Sequence, residues 1–318
     1  MFKKLKAEDY PALRDFFDIY GWSLCEYSLS SIIAWNHCIY DVHYRVEGDL
    51  LFISEIEIEK PENRRLLLPL TRPFNACAGV VSKAYGQQTT RRPLPAELAG
   101  WAAKLGYRQY YYAAEDYLSA VGAAEVEKFF TVKEQPGYMD YIYSASDLAG
   151  LKGHKFSKKR NLIAQFTKQV KEVREVKVEP LTPANSGRCV SLLDEWARDP
   201  EAGEQLEMLN CERKAILNAL RDFELLQMRG VMVSIDGKTA GFAFGGWLSK
   251  DTFVLNFEKA LGNVKGLYQF LDNEFAKCLP GQYVYINKES DLGKPGLAKT
   301  KESYYPCKKV KSYILTLK

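Results

Sequence analysis

A chain of 318 residues with 47% hydrophobic and 26% charged residues has an ordinary globular composition and enough length for two domains. Its longest charge-free stretch, residues 27–40, falls short of the roughly 20 apolar residues a membrane-spanning helix needs. Seven scattered cysteines without a Cys-x-x-Cys pair and only three histidines argue against a disulfide or zinc framework and against a His-rich metal site.

The N-terminus turns acidic at Glu8-Asp9 before any apolar run, so no signal peptide is expected and a cytoplasmic protein with reduced thiols is. Net charge is +4, unevenly placed. Residues 1–150 hold 16 Lys/Arg against 20 Asp/Glu, and residues 151–318 hold 28 against 20. The second half is the expected partner of an anion: a nucleic acid, another phosphate-bearing ligand, or a lipid headgroup reached by peripheral membrane contact. Chance drift of charge along the chain is the plain alternative.

In chain order, Tyr10, Leu13, Phe16, Phe17 and Tyr20 recur at helical spacing, with Gly21 as the stop. A second apolar stretch covers 28–35. Two strands follow at 39–46 and 50–58, split by the turn Glu47-Gly48-Asp49. Residues 66–70 read as a further strand, 94–105 as a helix ended by Gly106, 107–113 as a strand, and 138–143 as the strand closing the first half. The second half predicts helices at 186–198 and 206–226. Strands follow at 231–235 and 239–247 around Asp236-Gly237, and at 252–257. A helix at 264–278, a strand at 283–287 and a last strand at 309–317 complete it. The order of elements appears twice with little residue identity, which points to a duplicated α+β unit built on mixed sheets. It matches the order of the GNAT acyltransferase fold, an analogy that alone gives no function.

Several chemistries lack their motifs. There is no Walker-type loop, no Gly-x-Gly-x-x-Gly unit, no Gly-x-Ser-x-Gly elbow and no metal-binding His pair. Three segments carry signals. Residues 148–171 contain seven Lys/Arg and no acid, and place Lys158, Lys159, Arg160 and Asn161 at the start of a helix behind Ser157. Cations there oppose the helix dipole, and a bound anion would offset that cost; a solvated basic turn is the alternative. Glu258 and Lys259 end an apolar strand, where a carboxylate can hold an amine or act as a base; a surface ion pair is the alternative. Asn287, Glu289 and Asp291, then Lys301, Ser303 and Tyr304, cluster after another strand. Residues 263–268, Asn-Val-Lys-Gly-Leu-Tyr, stand where a CoA-binding GNAT carries Gln/Arg-x-x-Gly-x-Gly/Ala. Asn263 and Tyr268 depart from that pattern, so acetyl-CoA is the less expected donor.

Taken together, these segments resemble a bacterial tandem-GNAT family related to the C-terminal catalytic domain of phosphatidylglycerol lysyltransferases. The carrying residues are Asp140 to Tyr143, Asp147-Leu148, Leu151, Gly153, Lys158 to Asn161, Phe257 to Ala260, Gly266, Tyr268-Gln269, Asn287, Glu289, Asp291 to Gly293, Gly296-Leu297, Lys301, Ser303-Tyr304 and Pro306. Lys288 and Ala298 depart from it, since the family often has Arg at the first and a basic residue at the second. The resemblance implies two GNAT-like domains, residues 1–145 and 146–318, with the site in the second. It implies transfer of an aminoacyl group from aminoacyl-tRNA to an acceptor, with no other cofactor and no metal. Glu258, Lys301 and Tyr304 would be catalytic, Glu258 holding the amine and Lys301 or Tyr304 stabilising the intermediate. Lys259, Tyr268, Asn287, Glu289, Asp291 and Ser303 would bind substrate. Lys158, Lys159, Arg160 and Asn161, with Lys299, Lys301, Lys308, Lys309 and Lys311, would meet tRNA phosphates. A CoA-dependent small-molecule N-acyltransferase and a non-catalytic protein binding an anionic ligand are the other two readings.

Overall fold

The computed structural model describes residues 1–17, 22–72, 92–196 and 206–318, with side chains 195–196 and 206–208 left aside. The first helix is α1 (Tyr10–Phe17); Tyr20, Gly21 and Arg198 of the expected helix ends lie outside the described residues. The first sheet uses β1 (Lys3–Lys4), β2 (Tyr40–Glu47), β3 (Leu50–Glu57), β4 (Arg64–Leu66), β5 (Leu70–Thr71), β6 (Gln109–Ala114) and β7 (Phe130–Glu134). Around them lie α2 (Leu29–Trp35), α3 (Pro95–Leu105), α4 (Glu115–Val121) and α5 (Ala123–Glu127). The hairpin between β2 and β3 forms where Gly48 supplies φ 58°. Helix α3 starts on Pro95, caps its first turn with Glu97 on the Leu94 N–H at 2.8 Å, and stops at Gly106 with φ 74°. Helices α4 and α5 and strand β7 were not expected; Gly122, between the two helices, interrupts any apolar period there.

The second half comprises β8 (Asp140–Ser144), α6 (Ala145–Gly150), α7 (Ser157–Phe166), β9 (Val176–Pro180), α8 (Pro183–Trp196) and α9 (Leu206–Arg221). It continues with β10 (Arg229–Ile235), β11 (Lys238–Trp247), β12 (Thr252–Ala260), α10 (Leu267–Cys278), β13 (Tyr285–Ser290), α11 (Pro295–Glu302), β14 (Lys308–Val310) and β15 (Ser312–Leu317). Asp236 and Gly237, both at positive φ, make the β10–β11 turn. The single strand expected at 309–317 is two strands in different sheets, divided at Lys311.

That division explains the architecture. The first sheet runs β1-β2-β3-β4-β6-β15-β7, and the second, from its other end, β9-β10-β11-β12-β13-β8-β14. Each is an antiparallel run, one parallel step (β4 to β6, β12 to β13), an inserted strand and an edge strand. This is the expected α+β fold of two mixed sheets. In each sheet the inserted strand comes from the other half: β15 pairs with β6 and β7, and β8 pairs with β13 and β14. The halves therefore exchange strands, and a cut at 145/146 separates each sheet from one of its inner strands. One hydrophobic core also spans both halves, joining Phe16 and Tyr110 to Phe242, Phe244 and Phe257. A second core packs Tyr141, Tyr143, Phe166, Phe253, Phe270 and Phe275 under α6, α7 and α10.

Cys38 and Cys211 form a disulfide with Cα atoms 5.4 Å apart, which corrects the expectation of reduced thiols throughout. It joins the segment after α2 to α9, two helices that pack together across a sequence separation no spacing pattern reveals. Among the described residues no helix is long and apolar enough to cross a membrane.

Candidate active site

Parallel strands β12 and β13 pair only at Thr252–Tyr285, Phe253–Ile286 and Val254–Asn287. Beyond that point they diverge. The bulge that turns β12 lies opposite Phe244-Gly245 of β11. Only glycine fits at 245, since a Cβ there would stand 1.8 Å from the Val254 carbonyl oxygen. On β13 the change comes at Glu289, whose φ of 59° ends regular pairing with β8. The divergence leaves a cleft with Glu258 on one side and Lys288 on the other.

Three charged side chains meet there. Lys288 Nζ donates to both oxygens of Asp272 on α10, at 2.6 and 2.7 Å, and stands 3.3 Å from Glu258 Oε2. Burial opposes its charge, but Asp272 and Glu258 together outweigh burial and raise its pKa. Glu258 keeps 18% of its side chain exposed, whereas Asp272 keeps 4%. Burial, then the Asp272 charge, push the Glu258 carboxyl up to about 7 against the pull of Lys288. Lys259, expected to bind substrate, pairs with Glu212 at 2.7 Å, and the cation that meets Glu258 is Lys288. Tyr304 is buried at the side of this network, with Lys288 5.0 Å and Lys159 3.5 Å from its ring centre. Lys159 Nζ donates to Ser303 Oγ at 2.7 Å, and burial, with Lys288 nearby, holds its pKa down to about 8.

Removing the central cation strands two acids. Lys288→Met is expected to destabilise the protein by about 3–5 kcal/mol, because a buried carboxylate that loses its partner is strongly penalised. Urea unfolding at pH 8 measures it, and an unchanged midpoint would show that Asp272 and Glu258 find other partners.

The remaining expected site residues divide. Tyr268 is half-buried, its hydroxyl pushed up to about 12 by burial, and it feels the Glu258 charge. Asn287 is fully buried and faces inward, donating to Asp140 Oδ2 and the Ser23 carbonyl, both at 2.7 Å. Glu289 accepts from Asn256 at 2.9 Å, and burial pushes it up to about 7. Asp291 accepts from the Tyr141 hydroxyl at 2.6 Å and the Gly293 N–H at 2.8 Å, so it shapes the loop. Lys301 is a brace: its ammonium donates to the carbonyls of Lys288, of Glu289 at 3.0 Å and of Ser290 at 2.8 Å, and burial lowers its pKa. The basic cluster does not stand together. Lys159 turns into the cleft, Arg160 donates to the Leu151 and Gly153 carbonyls, and Lys158 and Asn161 face solvent. Lys308, Lys309 and Lys311 are paired with Asp116, Glu302 and Glu134; Lys299 is exposed.

Asp272 was not anticipated, although an acid on the apolar face of a helix that buries Phe270, Leu271, Phe275 and Ala276 is a readable signal. Gly266 has φ 82°, and a Cβ on it would lie 2.1 Å from the Leu162 carbonyl oxygen of α7. Helix α7 thus packs closely against this turn, within the stretch whose Asn263 and Tyr268 depart from the CoA-binding pattern.

A family model described as phosphatidylglycerol lysyltransferase, C-terminal, matches residues 80–316. A conserved protein of unknown function from Bacteroides thetaiotaomicron is 30% identical, with a TM-score of 0.83 over 100% of this chain and 99% of its own. The C-terminal domain of a putative lysylphosphatidylglycerol synthetase from Agrobacterium fabrum shares 12% identity and a TM-score of 0.58. That match covers 98% of this chain and 92% of that one, and shows a shared fold. No curated protein matches the chain.

Proposed function

The chain belongs to the phosphatidylglycerol lysyltransferase C-terminal family, and on that footing we propose that it moves an aminoacyl group from aminoacyl-tRNA to an acceptor in the β12/β13 cleft. Family and fold support an acyltransferase. The observation that carries the finer reading is Glu258, a partly exposed carboxyl with a pKa of about 7 beside the Lys288 cation. An aminoacyl ester is already activated, so catalysis needs positioning, one proton transfer and charge stabilisation. Glu258 takes the proton of the acceptor's nucleophile as that atom bonds to the ester carbonyl. Lys159, at the Tyr304 ring, stabilises the negative oxygen that forms. The intermediate then collapses, the ester C–O bond breaks, and the tRNA ribose oxygen leaves with the proton that Glu258 returns. Exposed Lys158 and Lys299 supply charge for the tRNA backbone.

The test incubates the protein with tRNAs charged with radiolabelled amino acids and candidate acceptors, alongside calorimetry with acetyl-CoA. Transfer from at least one charged tRNA is expected, with binding that weakens steeply as salt rises, and no micromolar acetyl-CoA binding. Micromolar acetyl-CoA binding with acetyl transfer would replace this reading by a CoA-dependent N-acyltransferase. Salt-sensitive anion binding without turnover of any donor would replace it by a binding protein.

A further inference from the structure

The Cys38–Cys211 bond joins a fixed corner to a loosely held stretch of helix. The corner is set by Asn36, which is buried, donates to the Leu5 carbonyl at 2.9 Å and accepts from the His37 and Val42 N–H groups at 2.9 and 2.8 Å. Helix α9 enters the core with Ala215, Ile216, Ala219 and Leu220. From Leu209 to Lys214, the stretch that holds Cys211, no residue is fully buried. A helix end with so little burial opens at far less cost than the whole fold, and the disulfide pins it.

Both ends of the bond reach the strand that carries Glu258. Trp35, on the turn of chain before Cys38, packs on Phe257 with ring centres 5.9 Å apart. Glu212, next to Cys211, pairs with Lys259 at 2.7 Å. The disulfide therefore closes a ring of contacts that passes through Phe257, Glu258 and Lys259 of β12. Tyr268 feels the charges of both Glu258 and Glu212, which puts Glu212 close to the cleft wall. The bond is also open to exchange. Both cysteines are half-buried rather than enclosed, so a small thiol can reach them. Lys214 lies on the same face of α9 as Cys211 and donates to the carbonyl of His37, next to Cys38. An ammonium there favours the thiolate that leaves when the disulfide is attacked.

We propose that Cys38–Cys211 is a redox clamp on the active-site strand: oxidised, it holds the 209–214 stretch of α9, and Glu212 with it, against Lys259; reduced, it releases them and slows transfer. Two thiols or one dithiol supply the two electrons. The S–S bond breaks, each protein sulfur takes a proton, and the reductant leaves as a disulfide. The effect on rate rests on the aminoacyl-transfer reading, but the clamp itself is tested without turnover. Hydrogen exchange of the full chain, read by mass spectrometry well below its melting temperature, compares protein in oxidised glutathione with protein in dithiothreitol, and alkylation scores the thiols of Cys38 and Cys211. Reduction is expected to speed exchange at residues 209–214 by about tenfold or more and to leave β15 unchanged, and reoxidation to reverse it. Transfer should fall about fivefold on reduction. Glu212→Gln should keep the bond and the exchange response while its rate no longer depends on the redox state. Free thiols at both positions in oxidised glutathione, or equal exchange in the two states, overturn the proposal. Faster exchange spread over β15 as much as α9 also overturns it, since the bond would then be a general staple of the fold. So does a Cys211→Ser variant that keeps the oxidised rate. Redox-dependent exchange confined to α9 in a protein inert towards every charged tRNA would support the clamp and sink the aminoacyl reading. Transfer from charged tRNA with exchange and rate indifferent to redox state would sink the clamp alone.

Discussion

A chain stopped after Val310 is expected to lose the fold of its first sheet, although every other strand of that sheet lies before residue 135. Strand β15 sits between β6 and β7, paired from Ser312–Ala114 to Thr316–Gln109 on one side and from Tyr313–Glu134 to Leu317–Phe130 on the other. Without it β7 has no strand to pair with, and both faces of the gap expose backbone groups that had partners. Leu315 is fully buried in the core that also holds Phe244 and Phe257, so the loss reaches the second half. Leu315→Ala alone should cost about 2–5 kcal/mol. The truncation removes six paired residues and is expected to yield insoluble protein or one without a cooperative transition. Fragments 1–145 and 146–318 should fail separately and assemble when co-expressed, since each carries the strand the other lacks. A truncated chain that melts cooperatively at the temperature of the full chain would show the exchange to be dispensable.

The same strand marks what could be read from the residues. Period-two patterning found β2, β3, β10, β11 and β12, and Asp236-Gly237 fixed a hairpin, because these depend on neighbours in sequence. The alternation of residues 309–317 was visible too. Its division between two sheets was not, because both pieces alternate alike and nothing local records which sheet a strand joins. The Cys38–Cys211 bond was hidden for the same reason. In the cleft, Glu258 was legible as a carboxylate ending an apolar run. Asp272 and Lys288 needed the packing of α10 on the second sheet to meet. The basic run at 158–161 misled as a cluster because successive helical residues are turned by about 100°: Lys158 faces water, Lys159 faces Tyr304, and Arg160 reaches back to the preceding carbonyls. Lys301 shows a related effect. Its charge suggested phosphate, and its burial assigned it to the three carbonyls at the end of β13.

Glu258→Gln separates chemistry from architecture at this cleft. Asp272, with two short bonds to Lys288, still neutralises that cation when Glu258 loses its charge, and glutamine keeps the size and an acceptor for Lys288. Stability should change by no more than about 1 kcal/mol, in contrast to Lys288→Met. Transfer should fall about 10²- to 10⁴-fold, the usual worth of a positioned base. The pH profile carries the sign. A base works when deprotonated, so the wild-type rate should climb as pH rises through the Glu258 pKa of about 7 and level off above it. The glutamine variant should lose that rising limb. Steady-state transfer between pH 5.5 and 8.5 and a melting curve, on one preparation of each protein, measure both quantities. A variant that melts much lower yet keeps its rate and its pH limb would make Glu258 a structural partner of Lys288. The proton would then have to leave through the other ionisable groups at the cleft, Lys159 and Glu289.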